Sequence, residues 1–327
     1  MIISMSNAST APIPSYVTLP DLPEPYPSIL DFLDQRFPKV GRDVWQSRLA
    51  SGKVIDDAGC CVRAETPYQP HLRLQYFREV PAEPEIPFKA EILFENDHLL
   101  AACKPHFLPV TPAGPYVNQC LLYRLQNATG IRDVVPIHRI DRETAGIVLF
   151  SKQKATRGVY HDLFQSNQVR KVYEAVTTLP ENTEQDEWLL RTRIVPGEPW
   201  FRVQHADGPP NAVTRIVLLD RNEQAAYLRL EPQTGKQHQL RLHVTCIGAH
   251  ILYDRYYPVL TPKRPDDFAR PLQLLARSVA FVDPMTQQPV EFRSMRHLAW
   301  DFRGRHPVEN ENANELFASP EEETSVS

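Results

Sequence analysis

The stretch PIHRIDRETAGIVLF, Pro136 to Phe150, sets a carboxylate, Asp141, between Arg139 and Arg142 and just ahead of an apolar run. A free aspartate is a weak nucleophile and a weak base. A fixed cation in a partly dry site keeps it ionised and aimed. The bland alternative is a loop aspartate that caps a turn or pairs with Arg142 at the surface, and spacing alone leaves both readings open. The stretch TGKQHQLRLH gathers Lys236, His238, Arg241 and His243. On a helix His238 and Arg241 are three apart and share a face, so Arg241 can reach a carboxylate while Lys236 meets a phosphate. A solvated helix face would look the same. His238 and His243 are five apart, poor spacing for two ligands on one helical face, and no metal pattern is found. In RKVYEAV, Lys171 and Tyr173 point to one face if the segment is a strand. A tyrosine there can stack on a flat base or pack in a core. No phosphate-binding glycine loop, dinucleotide fingerprint or G-x-S-x-G elbow is present.

Periodicity supplies the elements that would hold these residues. GIVLF reads as a buried strand, RKVYEAVTTL as a strand, and NAVTRIVLLD with AAYLRLEPQTG as paired strands around a polar turn. KQHQLRLHVTCIG is ambiguous, but the spacing of Leu240, Val244 and Ile247 favours a helix stopped at Gly248. YVNQCLLYRLQNATG and TRGVYHDLFQSNQV read as helices, and AEILFENDHLLAACKP as two strands around a turn at 95–97. Strands and helices mix without a regular βα repeat, which predicts an α+β fold rather than a doubly wound sheet. Ahead of this domain, SILDFLDQRF predicts a helix capped by Ser28, and GRDVWQSRLASGKV a second, with KVIDD and HLRLQYF as short strands. Arg36, Lys39, Arg42, Arg48 and Lys53 cluster in this small α/β unit, either as a solvated face or as a basic patch offered to phosphates.

Residues 1–26, rich in Pro and Ser, are expected to form a flexible arm. The small unit spans 27–78, a proline-rich linker 79–90, the larger domain 91–307, and an acidic, disordered tail 308–327. The net charge of −4 excludes a uniformly basic nucleic-acid binder. Six of the glutamates lie in the tail, and without them the balance is +2. Five cysteines with no C-x-x-C pair favour a reduced compartment over a disulfide framework. No apolar run is long enough to span a membrane, and the N-terminus lacks signal-peptide character, so a cytoplasmic protein is expected.

Taken together, HRIDRETAGIVLF, ILFENDHLLAACKPHFLPVTP, KVYEAV and TGKQHQLRLHVTCIGAHILYD resemble the RluA-type RNA pseudouridine synthase family, over roughly residues 91–295. HRIDRETAG stands where the family has H-R-L-D-x-x-T-S-G. More distantly, residues 28–77 resemble an S4-type RNA-binding domain, with Arg42, Arg48 and Lys53 as contacts and Arg36 and Lys39 extending the patch. The resemblance implies a mixed, mainly antiparallel sheet in the larger domain, and that selected uridines in structured RNA become pseudouridine without metal or organic cofactor. It makes Asp141 the catalytic aspartate and Arg241 its paired cation. Tyr173 is the tyrosine stacked near the target uracil, and Arg139 fills the vacated base position. His138, Lys171, Lys236 and His238 join the RNA-binding set. Asp141 would attack C1′ or take the C2′ proton to give a glycal, and the family leans to the glycal. Ile140, Ala145, Lys236, Tyr253, Leu275 and Asp283 depart from the family pattern without removing the carboxylate or its cation. The S4-like unit tilts the expected target toward large-subunit ribosomal RNA, with transfer RNA as the alternative. A noncatalytic RNA-binding or assembly factor on the same fold is the other functional class. A monomer with no obligate protein partner is expected.

Overall fold

The computed structural model describes residues 9–300, apart from 39, 81, 82 and 183. The tail 308–327, Lys39 and the first eight residues therefore lie outside the described residues.

The N-terminal part contains β1 (Ser9–Thr10), β2 (Ser15–Thr18), α1 (Ile29–Arg36), α2 (Arg42–Ala50), β3 (Val54–Asp56), β4 (Arg73–Tyr76) and β5 (Glu79–Val80). Ser28 caps α1 as its sequence position predicts: its hydroxyl accepts from the Asp31 amide at 3.2 Å. The two helices cover a three-stranded antiparallel sheet ordered β2-β4-β3. Ile29, Leu33, Trp45, Leu49, Val54 and Leu74 form a core of their own. By composition, residues 15–18 belong to the flexible arm expected over 1–26. Here that segment is an edge strand, register Ser15↔Tyr76, and Leu19 behind it is fully buried. Its alternation is too short to stand out in a Pro- and Ser-rich context, and pairing with β4 supplies what composition does not show.

The described residues of the proline-rich 79–90 stretch are also docked. Its Glu83 carboxylate accepts from the amides of Val117, Asn118 and Gln119 at 2.6–3.0 Å, just ahead of helix α3 (Leu121–Thr129). Three converging loop amides satisfy the carboxylate there, at the end of the helix that favours a negative charge. Arg124 of α3 donates to the carbonyls of Ile86 and Phe88.

The larger part is one mixed sheet. In chain order its strands are β6 (Glu91–Glu95), β7 (Leu99–Lys104), β8 (Val135–Pro136), β9 (Ala145–Ser151), β10 (Arg170–Thr177), β11 (Glu187–Pro196), β12 (Val203–Ala206), β13 (Ala212–Arg221), β14 (Ala226–Pro232), β15 (Leu274–Val282) and β16 (Pro289–Arg293). The order across the sheet is β12-β11-β13-β14-β10-β15-β9-β7-β6, with β16 on β15 and β8 on β9. Helix α4 (Lys154–Gln165) follows β9, and α5 (Gln239–Thr245) follows β14. This is the expected α+β, mainly antiparallel architecture.

All seven residues of β9 are buried, because both faces are covered. Val148 and Phe150 pack with Leu121 and Leu125 of α3. Ile147 and Leu149 face the other way, onto Tyr160 and Leu163 of α4. Each such side chain contributes about 1.5–3 kcal/mol of burial. Among the described residues one pairing is parallel, β9 with β15 at Ala145↔Leu275 and Gly146↔Ala276. A Cβ on Gly146, at φ +114°, would sit 2.1 Å from the Ala276 carbonyl oxygen, so only glycine permits this approach. The two halves of the sheet join here, and the loop holding Asp141 enters β9 at this join. Helix α5 forms as the apolar spacing predicts, and Gly248, at φ +72°, follows it.

Candidate active site

Asp141 lies in a tight loop between β8 and β9, where its carbonyl accepts from the Thr144 amide at 3.2 Å. The loop is held from below. Lys104, at the end of β7, is fully buried, and its ammonium donates to the carbonyls of Arg142 (2.9 Å), Leu108 (2.7 Å) and Pro105 (3.1 Å). His106 Nδ1 donates to the Glu143 carbonyl at 2.7 Å. Arg142 forks onto Asp266 at 2.7 and 2.9 Å and turns away from Asp141. His138 closes the loop's start: its Nε2 accepts from the Leu149 amide at 3.1 Å, and its ring stacks on Phe164. Burial lowers the Lys104 pKa to about 7, that of His106 to about 4 and that of His138 to about 3. Both histidines are therefore neutral at neutral pH.

The α5 side supplies the cation. Arg241 is 2% exposed and donates Nη1 to Asp141 Oδ2 at 3.2 Å. Its Nε and Nη2 form a fork on Asp254 at 2.8 and 2.5 Å. Burial opposes the charge of Arg241, but Asp254 and then Asp141 outweigh it and keep the guanidinium protonated. Asp254 Oδ1 also accepts from the amides of Tyr256 and Tyr257 at 2.8 and 3.1 Å, which fixes it in turn. The rings of Tyr256 and Tyr257 lie 4.7 and 5.5 Å from the guanidinium carbon. Asp141 keeps a quarter of its side chain exposed, whereas the Asp254 side chain is 1% exposed. The arrangement is a carboxylate aimed by a desolvated cation and partly open to solvent.

His238 Nε2 lies 3.8 Å from Asp141 Oδ1, and its other nitrogen meets the Tyr257 hydroxyl at 3.2 Å. Burial lowers the His238 pKa despite the nearby Asp141. Its left-handed backbone, φ 49°, turns the chain into α5. Gln239 locks that turn: its oxygen accepts from the Lys236 amide and the Thr234 hydroxyl, and its nitrogen donates to Val213 and Thr214. Tyr173, on β10, feels the charge of Asp141. Burial first, then Asp141, raises its pKa, so the hydroxyl stays protonated. Such a hydroxyl can donate, and it cannot act as a base while it keeps its own proton. Lys171, partly buried on the same strand, reaches the Thr234 carbonyl at 3.3 Å.

The structure thus brings Asp141, Arg241, Tyr173 and His238 together, with Lys171 nearby. Arg139 and Lys236 are exposed, with no side-chain partner among the described residues. The basic residues of the N-terminal part differ from one another. Arg48 is 6% exposed, held by the Glu79 carbonyl and carboxylate and lying over Trp45, so it cannot serve as a surface contact. Its neighbours in sequence gave no sign that it faces inward. Arg42 pairs with Asp31 at 2.8 Å and Lys53 with Glu79 at 2.5 Å, and both remain about half exposed. His243 is fully buried between Thr192 and Thr214. No group of three or more His, Cys, Asp or Glu is placed to hold a metal, and no helix is long and apolar enough to cross a membrane, among the described residues.

Asp254, Lys104, Gln239 and the Arg142–Asp266 pair were not legible as site residues in the sequence. Asp254 stands in HILYD, thirteen residues beyond Arg241, and only the fold folds it back. A lysine closing the apolar run LLAACK was a visible signal for a buried cation.

Residues 98–245 match a protein-family model described as RNA pseudouridylate synthase. An uncharacterized RNA pseudouridine synthase of Synechocystis sp. is 30% identical over 232 residues, 70% of this chain and 79% of that protein. The dual-specificity RNA pseudouridine synthase RluA of Vibrio cholerae is 32% identical over 196 residues, 59% of this chain and 78% of that protein. The structure of human RNA Pseudouridylate Synthase Domain Containing 1 superposes with a TM-score of 0.53 at 20% identity, covering 65% of this chain and 85% of that one, a likeness of fold.

Proposed function

The chain belongs to the RNA pseudouridine synthase family, whose activity is the isomerisation of uridine in RNA, and on that premise we propose that Asp141 is its catalytic carboxylate. Arg241 is the cation that aims it, and Tyr173 is the ring that stacks on the target uracil. One observation carries this reading. Arg241 is forked onto the buried Asp254, yet still reaches Asp141, which alone of the two carboxylates opens to solvent.

The chemistry needs such a group. The N1–C1′ bond of uridine breaks, uracil rotates, a C5–C1′ bond forms, and the C5 proton is lost while N1 gains one. The target must first leave its base stack. Asp141 can add to C1′ or take the C2′ proton to give a glycal. In either route Arg241 stabilises the carboxylate without moving. Tyr173, with its hydroxyl protonated, retains the detached uracil and shields it from water, which would otherwise yield free uracil. Arg139, exposed in the loop two residues before Asp141, fills the space the uridine vacates, and Lys236 meets backbone phosphate. His238 and Lys171 line the RNA side of the cleft. His138 acts from inside, by holding the loop.

The target we propose is large-subunit ribosomal RNA, with transfer RNA as the alternative, and residues 91–307 as the catalytic domain. The N-terminal unit, two helices on a three-stranded sheet, serves as an S4-like RNA-binding domain. Arg36, Arg42 and Lys53 face phosphate there, because exposed ion pairs such as Arg42–Asp31 are weak enough to exchange. Arg48 holds the unit from within.

The test is to incubate the full chain with total RNA from a host lacking this gene and map pseudouridine at single-base resolution. New sites, absent with Asp141→Asn, are expected, and they name the RNA. Modification that persists in Asp141→Asn would overturn the assignment of the carboxylate.

A further inference from the structure

The tip of the β11–β12 hairpin, residues 197–202, holds Trp200 out in solvent at 71% exposure. A tryptophan left that open forgoes a large burial gain, and Trp is otherwise a highly buried residue. Its ring stands edge-on to Phe201, with centroids 5.8 Å apart at 87°. Phe201 lies 5.2 Å from Tyr256, and Tyr256 lies 5.6 Å from His238. His238 in turn approaches Asp141 at 3.8 Å. A continuous run of rings therefore leads from the catalytic carboxylate to open solvent.

The run is fixed in place. The Tyr257 hydroxyl accepts from the Val203 amide at 2.8 Å and donates to the Val203 carbonyl at 3.1 Å, which ties the hairpin to the loop behind Arg241. Arg202 donates to the Pro258 carbonyl at 3.1 Å with its guanidinium 4.8 Å from the Tyr257 ring centre. Gln237 donates to the Phe201 carbonyl at 3.3 Å, joining the tip to the turn before α5. Arg202 and the exposed Lys236 give this side two cations, and Glu198 is the one carboxylate in the tip.

We infer that this run of rings is a stacking shelf for an unpaired RNA base beside the target uridine, with Trp200 as its outer platform. The inference rests on the RNA-isomerase reading above. Extracting a uridine leaves its neighbours without a stacking partner. An aromatic face next to the cleft restores that partner whatever the base, since every base has a flat face. Arg202 at the tip and the exposed Lys236 in the turn before α5 supply cations for the backbone of such a nucleotide, and the continuity of the rings with the Asp141 site favours RNA over a protein partner.

The experiment is fluorescence anisotropy of a labelled short oligouridylate with the full chain, beside an abasic oligonucleotide of the same length and charge. Trp200→Ala should weaken oligouridylate binding about tenfold to a hundredfold. Trp200→Phe should restore most of it, and the abasic strand should bind wild type and Trp200→Ala alike. The shelf is overturned if oligouridylate binds Trp200→Ala as tightly as wild type, if wild type does not bind it, or if the abasic strand loses as much. Anisotropy needs no turnover, so these outcomes are separate from the mapping experiment, in which lost wild-type modification would overturn the isomerase reading instead.

Discussion

Two arginine–carboxylate clusters, one carried by helix α5 and the loops beside the sheet and one within the sheet itself, end differently. At the site, Arg241 lies between two carboxylates, Asp254 and Asp141. On β10, next to Tyr173, Glu174 pairs with Arg277 and accepts from the Tyr227 hydroxyl at 2.5 Å, and Arg277 also donates to the carbonyls of Ser294 and Arg296. Both side chains of that second pair are 10% exposed. One cation and one anion close on each other there, and no charge is left over. At the site the deeper carboxylate takes the fork, so Asp141 keeps one hydrogen bond to the cation, has His238 at 3.8 Å, and leaves a quarter of its side chain exposed. On the proposed reading, the reactive group is the carboxylate that the packing leaves partly unmatched.

The largest effect that would sharpen this contrast is a pair of isosteric changes. Asp141→Asn should cost roughly 10³-fold or more in pseudouridine formation, with little change in thermal unfolding, since the group is partly exposed. Glu174→Gln should do the reverse, leaving Arg277 buried without its anion at about 3–5 kcal/mol of stability, with turnover kept at temperatures where it stays folded. If Glu174→Gln abolished turnover in folded protein, the contrast would fail. Next, Arg241→Lys keeps a charge but loses the fork that spans Asp254 and Asp141. A fall in kcat of about 100-fold with little change in KM is expected in single-site kinetics. Arg277→Lys should show its loss in denaturant midpoint instead.

A third, intermediate effect is pH dependence. His106, His138 and His243 have pKa values lowered by burial to about 4, 3 and 4. Unfolded, they take up protons near pH 6.5; folded, they do not. Their contribution is therefore complete above pH 6.5 and is lost as pH falls toward 4, at about 1–3 kcal/mol each. Two of them hold the Asp141 loop, and none touches the Glu174 pair, so acid should loosen the site first. Hydrogen exchange of the Glu143 and Thr144 amides against that of β10, measured from pH 7 to 4.5, reads this directly. Equal loss in both places would count against it.

The smallest effect lies in the N-terminal unit. Arg42→Ala should change stability by less than about 1 kcal/mol and lower the salt dependence of RNA binding. Arg48→Ala should lower the melting temperature, because that side chain is interior.

Much of the fold could be read from pattern. The all-apolar GIVLF run reads as a doubly covered strand, the spacing of Leu240, Val244 and Ile247 as a helix, and Ser28 as its neighbour's cap, because each signal is local. The segment 15–18 and the docking of Glu83 were not legible, since each depends on a partner tens of residues away. The site divides in the same way. Asp141, Tyr173 and Arg241 carry recognisable local motifs, whereas Asp254 and Lys104 matter through three-dimensional neighbours.

By itself the sequence determined which groups could react, a carboxylate in a basic loop, an arginine on a helix and a tyrosine on a strand, because residue type and period are written along the chain. Only the tertiary structure decided which charges would be matched. It folded Asp254 onto Arg241 ahead of Asp141, turned Arg142 away onto Asp266 and drew Arg48 inside. Pairing depends on distance and desolvation, and both are properties of packing between segments far apart in the chain.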